Sequence, residues 1–197
     1  MARRVAGDPI RLGGVGSLVR WKNWGLVLEA LAQLPADVRE RFRFSQIGGT
    51  DGSSDSEKYA QELVDLTRQL ALGTVVEWRG VQGSADGLLA EIDCLLIVST
   101  NEPFSIAMIE AWQMGVPVLA ADSGGARDAV SPGKTGWLFR TGAAACLARA
   151  LARLAATDCL AQVRIEPGDL QPFTSPMVAA QWAKVYASVL SPQRPQR

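Results

Sequence analysis

The sequence predicts an α/β domain, a parallel sheet with helices on both faces, from two observations. Short apolar runs typical of buried strands alternate along the chain with segments whose apolar residues recur at helical spacing. Strands that are apolar on both faces need cover from both sides, which parallel sheets obtain from their crossover helices. In such sheets, ligands bind at the carboxyl ends of the strands, where loops lead into helices.

The first half of the chain predicts three strands and three helices in alternation. The strands fall at 10–19, which is Gly-rich toward its end, at 42–47, where alternate residues are apolar, and at 75–78. One helix is predicted to start at the N-cap Asn23 and stop before Pro35, the next runs over 57–72 until Gly73, and a short one covers 84–92.

The second half continues the alternation. Strands are predicted at 93–99, 116–121 and 136–139, and helices at 105–114, 143–156 and 175–190, with a short segment around 126–130. We therefore predict a lead-in over 1–9, one ligand-binding domain over 10–190 and a disordered tail over 191–197.

The composition excludes several classes of function. The 197 residues carry 20 basic and 20 acidic side chains, so nucleic acid, which selects a basic excess, is not the expected partner. There is no histidine, which removes Ser-His-Asp and Cys-His catalysis and the commonest zinc ligand. Three cysteines without a CxxC spacing indicate neither a disulfide framework nor a metal site. No signal-peptide pattern and no membrane-spanning apolar stretch is seen, so we expect a cytoplasmic protein.

One segment, 99–118, places chemistry-bearing residues where such a sheet binds ligands. A predicted strand ends before the loop that carries Glu102, and a helix opens near Ser105. The first backbone N–H groups of that helix, at 105–107, form with the helix dipole an anion site suited to a phosphate. Glu110 lies about one and a half turns into the same helix, where its carboxylate could accept bonds from paired hydroxyl groups.

Two carboxylates that bracket an anion pocket fit a ligand with hydroxyl groups at both ends and phosphates between them, as in a nucleotide sugar. On spacing alone, a solvated loop glutamate and an ordinary exposed helix glutamate explain Glu102 and Glu110 equally well.

Other phosphate motifs are incomplete. Gly14-Val-Gly16 fails at the third glycine of a dinucleotide fingerprint, and Gly133-Lys134 lacks the upstream glycine of a Walker loop.

The order of several motifs resembles the retaining glycosyltransferases of family 4, whose fold is called GT-B. Glu102, seven intervening residues, Glu110 and then Gly115-Val-Pro-Val resemble the E-x7-E signature of that family. Further resemblances cover most of the chain: 15–22 to the opening strand and phosphate loop, 47–49 to the second strand with its glycine turn, 76–80 to the strand before the base-binding region, and 122–128 and 133–138 to the stretches that follow E-x7-E.

The resemblance implies a Rossmann-like domain, the C-terminal half of a GT-B fold, and it assigns roles to named residues. Lys22, with Arg20, would neutralise the donor diphosphate, and Glu102 would hold the donor sugar, so Glu102 and Lys22 are the expected catalytic residues. Glu110 would bind the ribose hydroxyl groups. The other expected donor-binding residues are Gly16, Arg79, Gly80, Phe104, Ser105, Ile106, Ala107, Gly124 and Gly125.

Three positions depart from the common pattern of the family. Ser17 stands where many members have Arg, Asn23 replaces a Gly, and Asp128 replaces a Glu. The expected grip on the diphosphate therefore rests on Lys22 and Arg20.

We therefore expect the donor-binding half of a retaining glycosyltransferase that transfers a hexose from a nucleotide sugar to a glycan or lipid acceptor. A UDP-sugar is expected ahead of a GDP- or ADP-sugar, with no metal and no further cofactor. The expected partner is an N-terminal acceptor-binding domain or a separate acceptor subunit, without which the chain is expected to be inactive. Membrane association of the full enzyme is at most peripheral, at the inner face of the cell membrane.

Two alternatives stay open. One is a stand-alone nucleotide-sugar-binding subunit without activity of its own. The other is a GT-B sugar-nucleotide epimerase, whose donor half is built similarly.

Overall fold

The computed structural model describes residues 8–190 and divides the chain into two compact units. The first unit extends to Ile165 and the second begins at Glu166. The predicted domain over 10–190 spans both units. The predicted lead-in lies mostly, and the predicted disordered tail entirely, outside the described residues.

The first unit is built on a six-stranded sheet in which every pairing is parallel. Its strands are β1 (Ile10–Val15), β2 (Phe42–Ile47), β3 (Val76–Trp78), β4 (Cys94–Ile97), β5 (Val118–Ala121) and β6 (Gly136–Phe139), in the spatial order β3-β2-β1-β4-β5-β6. The predicted fold class, a parallel sheet with helices on both faces, is confirmed.

Helices connect successive strands and follow the last one. They are α1 (Gly25–Ala32), α2 (Ala36–Arg39), α3 (Ser54–Gln69), α4 (Asp86–Glu91), α5 (Ile106–Gln113), α6 (Gly124–Ala129), α7 (Ala144–Ala156) and α8 (Cys159–Gln162). The α3 helix shows why these segments fold locally: the Ser53 hydroxyl accepts a hydrogen bond from the Ser56 amide, which caps the helix. Asp55 and Glu57 then add negative charge at the positive end of the helix dipole.

The core has two layers because strand side chains alternate between the faces of the sheet. On one face Leu12, Phe44 and Leu96 belong to a buried cluster that also takes in residues of α1, α3 and α7. On the other face Met108 and Trp112 of α5 are buried; α5 packs on β4 and β5, and α6 packs on β5. Both faces of the central strands are therefore closed to water, which explains the apolar runs of the sequence.

The strand order reverses direction between β1 and β4. The chain first moves outward from β1 through β2 to β3, and then returns to place β4 on the other side of β1, with Leu12 opposite Cys94. The loops that follow β1 and β4 consequently diverge to opposite faces and leave a crevice at the carboxyl edge. This point of the sheet is where a ligand site is expected on topology alone.

The local predictions differ from the structure at a few places. Asn23 is not the N-cap of α1; it ends a 3-10 turn, Arg20–Lys22, in the left-handed conformation with φ of 59°, and Trp24 is the N-cap. Asparagine tolerates this conformation better than most residues, so the same residue type suited both roles. The short helices α2 and α8 were not predicted, because each is a single turn without a periodic apolar face.

The second unit contains α9 (Pro167–Leu170), a 3-10 turn over Gln171–Phe173 and α10 (Ser175–Leu190). A reciprocal capping box between Glu166 and Asp169 starts α9. The α10 helix has the predicted bounds, and its apolar side chains, Trp182 and Tyr186 among them, are exposed.

Candidate active site

The first loop of the site follows β1 and is tied to the end of β2. The Gly16 amide donates to the Ile47 carbonyl at 3.0 Å, and the Leu18 amide donates to the Gly49 carbonyl at 2.8 Å. The side-chain amide of Gln46 also donates to the Gly16 carbonyl at 2.6 Å. These bonds fix the loop relative to the sheet before it reaches Lys22.

Lys22 lies across the start of this loop. Gly16 has φ of 146°, and a Cβ on it would come within 3.2 Å of the Lys22 Cε atom, so a side chain at this position would crowd the lysine. The Lys22 Nζ atom lies 4.4 Å from the centre of the Trp21 ring, within the range of a cation–π contact. The cation is therefore held in a defined place at the carboxyl edge of β1.

The second loop follows β4 and carries Glu102. The Glu102 Oε2 atom lies 2.5 Å from Lys22 Nζ and accepts a hydrogen bond from the Ser99 hydroxyl at 3.1 Å. The Lys22 side chain is 17% exposed and that of Glu102 is 8% exposed, which makes this the most buried ion pair found among the described residues. The Thr100 amide donates to the Trp21 carbonyl at 3.0 Å and joins the two loops directly.

A third loop, between β5 and α6, closes on the second. The Gly125 amide donates to the Pro103 carbonyl at 2.9 Å. Gly124 has φ of 52°, and a Cβ on it would lie 1.8 Å from the Glu102 carbonyl oxygen. Only glycine permits this approach, so the glycine pair positions the backbone that carries Glu102.

The α5 helix begins at the end of the second loop. Ser105 is its N-cap in an extended conformation, so the amides of Ile106 and Ala107 lie in the first turn, where a helix has no internal acceptors for them. Ile106 is 73% exposed, and Glu110, one turn further on, is partly exposed. Phe104 is 42% exposed and would contact any Cβ added at Gly125. The predicted anion site thus coincides with the start of α5, at the end of the loop that carries Glu102.

Arg20 is not part of the Lys22–Glu102 pair in this structure. Its guanidinium forms a bidentate pair with Glu62 of α3, at 2.9 and 3.1 Å, and bonds Asp55 at 3.0 Å. The hydrogen bonds to Glu62 and Asp55 raise the pKa of Arg20, and the hydrogen bonds from Arg20 lower the pKa of Glu62. Lys22 is therefore the cation that the structure brings to Glu102.

Arg79 and Gly80 are adjacent in sequence, but their contacts lie in different parts of the structure. The Gly80 carbonyl accepts a bond from the Gly48 amide at 2.9 Å, beside the first loop. The Arg79 guanidinium pairs with Glu91 and Glu77, each at 2.7 Å, and these two hydrogen bonds raise its pKa. The structure thus brings Gly80, but not the charge of Arg79, toward the first loop.

Two cavities differ in the residues that line them. One of about 10 Å³ lies beneath the ion pair and is lined by residues that include Lys22, Ser99 and Glu102. Another of about 500 Å³, which we call the charged groove, is lined by residues that include Arg11, Arg43, Glu77, Arg79 and Glu91. The charged and polar strand residues of its lining alternate with Leu12 and Phe44, which also line it, and none of the loop residues of the candidate site does so.

Three residues of the site were not singled out from the sequence. Ser99 holds Glu102, Gln46 holds Gly16, and Trp21 covers Lys22. Gln46 carried a usable signal, because it occupies an inward position after Phe42 and Phe44 in an alternating strand, where a polar side chain needs a specific partner. Nothing in the spacing indicates Trp21.

The described residues 8–190 contain no group of three or more metal-ligating side chains, and none of their helices is long and apolar enough to cross a membrane. The groups that the three loops and the start of α5 bring to the candidate site are a largely buried lysine, two carboxylates, a hydroxyl and helix N-terminal amides.

The chain matches a known protein family. Residues 3–167 match the family model described as glycosyl transferases group 1. The chain belongs to this family. It is 30% identical over 205 residues to D-inositol 3-phosphate glycosyltransferase of Corynebacterium aurimucosum, a match that covers 98% of the chain and 47% of that relative. It is 32% identical over 141 residues to the human alpha-1,3/1,6-mannosyltransferase, covering 67% of the chain and 33% of that enzyme.

Among solved structures, the group 1 chain is similar to Anabaena HepE in its crystal structure with UDP-glucose. The TM-score is 0.77 at 25% identity, over 92% of the chain and 49% of HepE. The expected Rossmann-like half of a GT-B fold is confirmed. The chain spans about half the length of HepE and of the bacterial relative.

Proposed function

We propose that the chain is the donor-binding half of a retaining glycosyltransferase of family 4, which transfers a hexose from a UDP-sugar to a glycan or lipid acceptor. The observation that carries the proposal is the buried pair of Lys22 and Glu102, which joins the loops after β1 and β4 where the strand order reverses. A cation, a carboxylate and the first turn of α5 meet there, and together they match a ligand with phosphates and hydroxyl groups.

Each residue has a role in this proposal. Lys22 and the amides of Ile106 and Ala107 stabilise the negative charge of the leaving diphosphate, while Glu102 accepts hydroxyl groups of the donor sugar and Glu110 those of the ribose. The acceptor hydroxyl attacks on the face that the diphosphate leaves. The leaving phosphate takes the acceptor proton, so no histidine base is required from this chain.

The comparisons support two parts of the proposal. HepE is described in complex with UDP, with UDP and glucose, and with UDP-glucose, which favours a UDP-sugar as the donor. The match to about half of the relatives leaves room for an acceptor-binding domain or subunit supplied outside these residues.

Calorimetry with a panel of UDP-, GDP- and ADP-sugars tests the donor site. We expect UDP-sugars to bind, and Glu110→Gln to weaken binding by about tenfold because a charged acceptor of hydroxyl groups is lost. Glu29→Gln, an exposed change on α1, is the matched control and is expected to leave binding unchanged. If no nucleotide sugar of the panel binds the folded chain, the proposal is wrong.

Activity measurements separate the proposal from its alternatives. The chain alone is expected to transfer no sugar, and transfer is expected to appear when an acceptor-binding partner is supplied. Transfer by the chain alone would contradict the half-enzyme interpretation. Interconversion of UDP-glucose with an epimer would instead identify an epimerase.

A further inference from the structure

Lys22 and Glu102 are bonded to each other in this structure, whereas the proposed function assigns them to different parts of the donor. Lys22 Nζ lies 2.5 Å from Glu102 Oε2, and both side chains are largely buried. A lysine that binds the diphosphate has to share its charge with the phosphates or leave the carboxylate. Glu102 and the diphosphate therefore compete for Lys22.

The Glu102 carboxylate has few hydrogen-bond donors besides Lys22. Among the described residues, Lys22 and Ser99 are the donors found to Glu102, and the Ser99 hydroxyl is at 3.1 Å. Removing one partner of a buried pair leaves the other charge buried and uncompensated, which is costly. A nucleoside diphosphate that draws Lys22 away therefore leaves Glu102 with the Ser99 hydroxyl and little access to water.

A donor sugar removes that cost. Its hydroxyl groups can donate to Glu102 in place of the lysine, since the carboxylate has acceptor capacity for several bonds. The diphosphate and the sugar are thus bound cooperatively: the phosphates take Lys22, and the sugar satisfies the carboxylate that Lys22 leaves. A nucleotide without a sugar can bind Lys22 but cannot donate sugar hydroxyl groups to Glu102.

We propose that Glu102 competes with the diphosphate for Lys22, and thereby makes the site prefer a sugar-bearing nucleotide over the sugar-free nucleotide left after transfer. The inference rests on the proposed function and deepens it. When the sugar departs, Glu102 recovers Lys22 and promotes release of the nucleoside diphosphate. Glu102 is then both a contact of the donor sugar and the group that sets the order of affinities.

The test is calorimetry with UDP and UDP-glucose on the full chain and on five variants. Glu102→Gln frees Lys22 and is expected to bind UDP about tenfold more tightly than the wild type, while its preference for UDP-glucose over UDP falls. The same change in a Lys22→Met background is expected to bring no gain, since the effect acts through the lysine. Asp93→Asn, which breaks the partly buried pair with Arg11 elsewhere in the sheet, is expected to leave both affinities unchanged.

Circular dichroism establishes that each variant is folded, and Ser99→Ala provides an independent test should Glu102→Gln not fold. Without the serine hydroxyl, Glu102 depends on Lys22 alone, so UDP affinity is expected to fall several-fold more than UDP-glucose affinity. The inference is overturned if folded Glu102→Gln binds UDP no more tightly than the wild type, or if Ser99→Ala affects both ligands equally. Failure of the wild type to bind any nucleotide or nucleotide sugar overturns the proposed function itself.

Discussion

The candidate site and the charged groove both bring cations next to carboxylates. They differ in the burial of these side chains and in their position relative to the reversal of strand order. At the site, Lys22 and Glu102 are 17% and 8% exposed and belong to loops on either side of the strand reversal. In the groove, Arg79 is 30% exposed, and its partners Glu77 and Glu91 are 61% and 56% exposed. Water screens the second set of charges far more than the first.

Cavity volume alone would favour the groove over the candidate site. The groove has about 500 Å³ against about 10 Å³ beneath the ion pair. In the groove, however, Arg79 pairs with Glu77 of β3 and with Glu91 at the end of α4, and no residue of the loops after β1, β4 and β5 lines the groove. The candidate site, by contrast, combines a largely buried ion pair with a helix N-terminus. It also contains glycines at positions where the backbone approaches too closely for any other residue.

The strongest test of this contrast replaces one cation in each region. Lys22→Met is expected to weaken UDP-glucose binding by about 100-fold, because it removes the largely buried cation that is proposed to neutralise the diphosphate. Arg79→Met removes a cation from the groove and is expected to leave binding within about twofold, as its charge is screened. Calorimetry measures both. Equal losses from the two variants would mean that the groove, too, contacts the donor.

Gly124 provides the next largest effect. Gly124→Ala is expected to destabilise the chain by about 3 kcal/mol, because its Cβ would meet the Glu102 carbonyl oxygen at 1.8 Å in a left-handed backbone. Gly133→Ala is the matched control, since Gly133 is also left-handed, with φ of 78°, but has open space around it. Its expected cost is about 1 kcal/mol.

Urea unfolding and UDP-glucose binding separate the two glycine variants. We expect Gly124→Ala to lose affinity as well as stability, and Gly133→Ala to lose stability alone. Similar binding by both would show that the third loop does not position Glu102.

These two regions also show how far the sequence could predict the molecule. The bounds of β2 and β6 were predicted correctly, because Phe42, Phe44 and the run at Gly136–Phe139 carry local patterns. The predicted N-cap at Asn23 was wrong: Asn23 ends a left-handed turn, and its neighbours Lys22 and Trp24 are bonded to Glu102 and to the Ser17 carbonyl, contacts that local spacing does not report.

The site was less predictable than the fold for a physical reason. Motif order brought Lys22 and Glu102 into one binding site, but their direct contact joins positions 80 residues apart and depends on the order of β1 and β4. The pairing of Arg20 with Glu62 is of the same kind, since it required the position of α3. Local spacing cannot report which of two neighbouring cations a distant carboxylate captures.

The Arg11–Asp93 pair lies between the two regions in burial and is expected to affect stability but not binding. Asp93 accepts bonds from the Arg11 side chain at 2.8 and 3.2 Å and from its amide at 2.8 Å, with the Asp93 side chain 12% exposed. Asp93→Asn is expected to cost about 1–2 kcal/mol in urea unfolding. Asp65→Asn, which breaks the exposed pair with Arg68, is the control and is expected to cost less than about 0.5 kcal/mol.

The smallest effect concerns the pH dependence of the groove. Hydrogen bonds from Arg79, and then from Ser45, lower the pKa of Glu77 below its ordinary value of 4.5. A carboxylate whose folded pKa is lowered stabilises the fold above its unfolded pKa, and that stability is lost as the pH falls through the folded pKa. The thermal midpoint of Glu77→Gln is therefore expected to lie below that of the wild type at neutral pH, and the gap is expected to close as the pH falls below 4.5. Glu29→Gln, at a glutamate with no ion pair found within residues 8–190, is expected to show no such convergence. A gap for Glu77→Gln that is constant with pH would mean that the groove pairs contribute packing and not charge, and the contrast with the buried pair at the site would then be larger still.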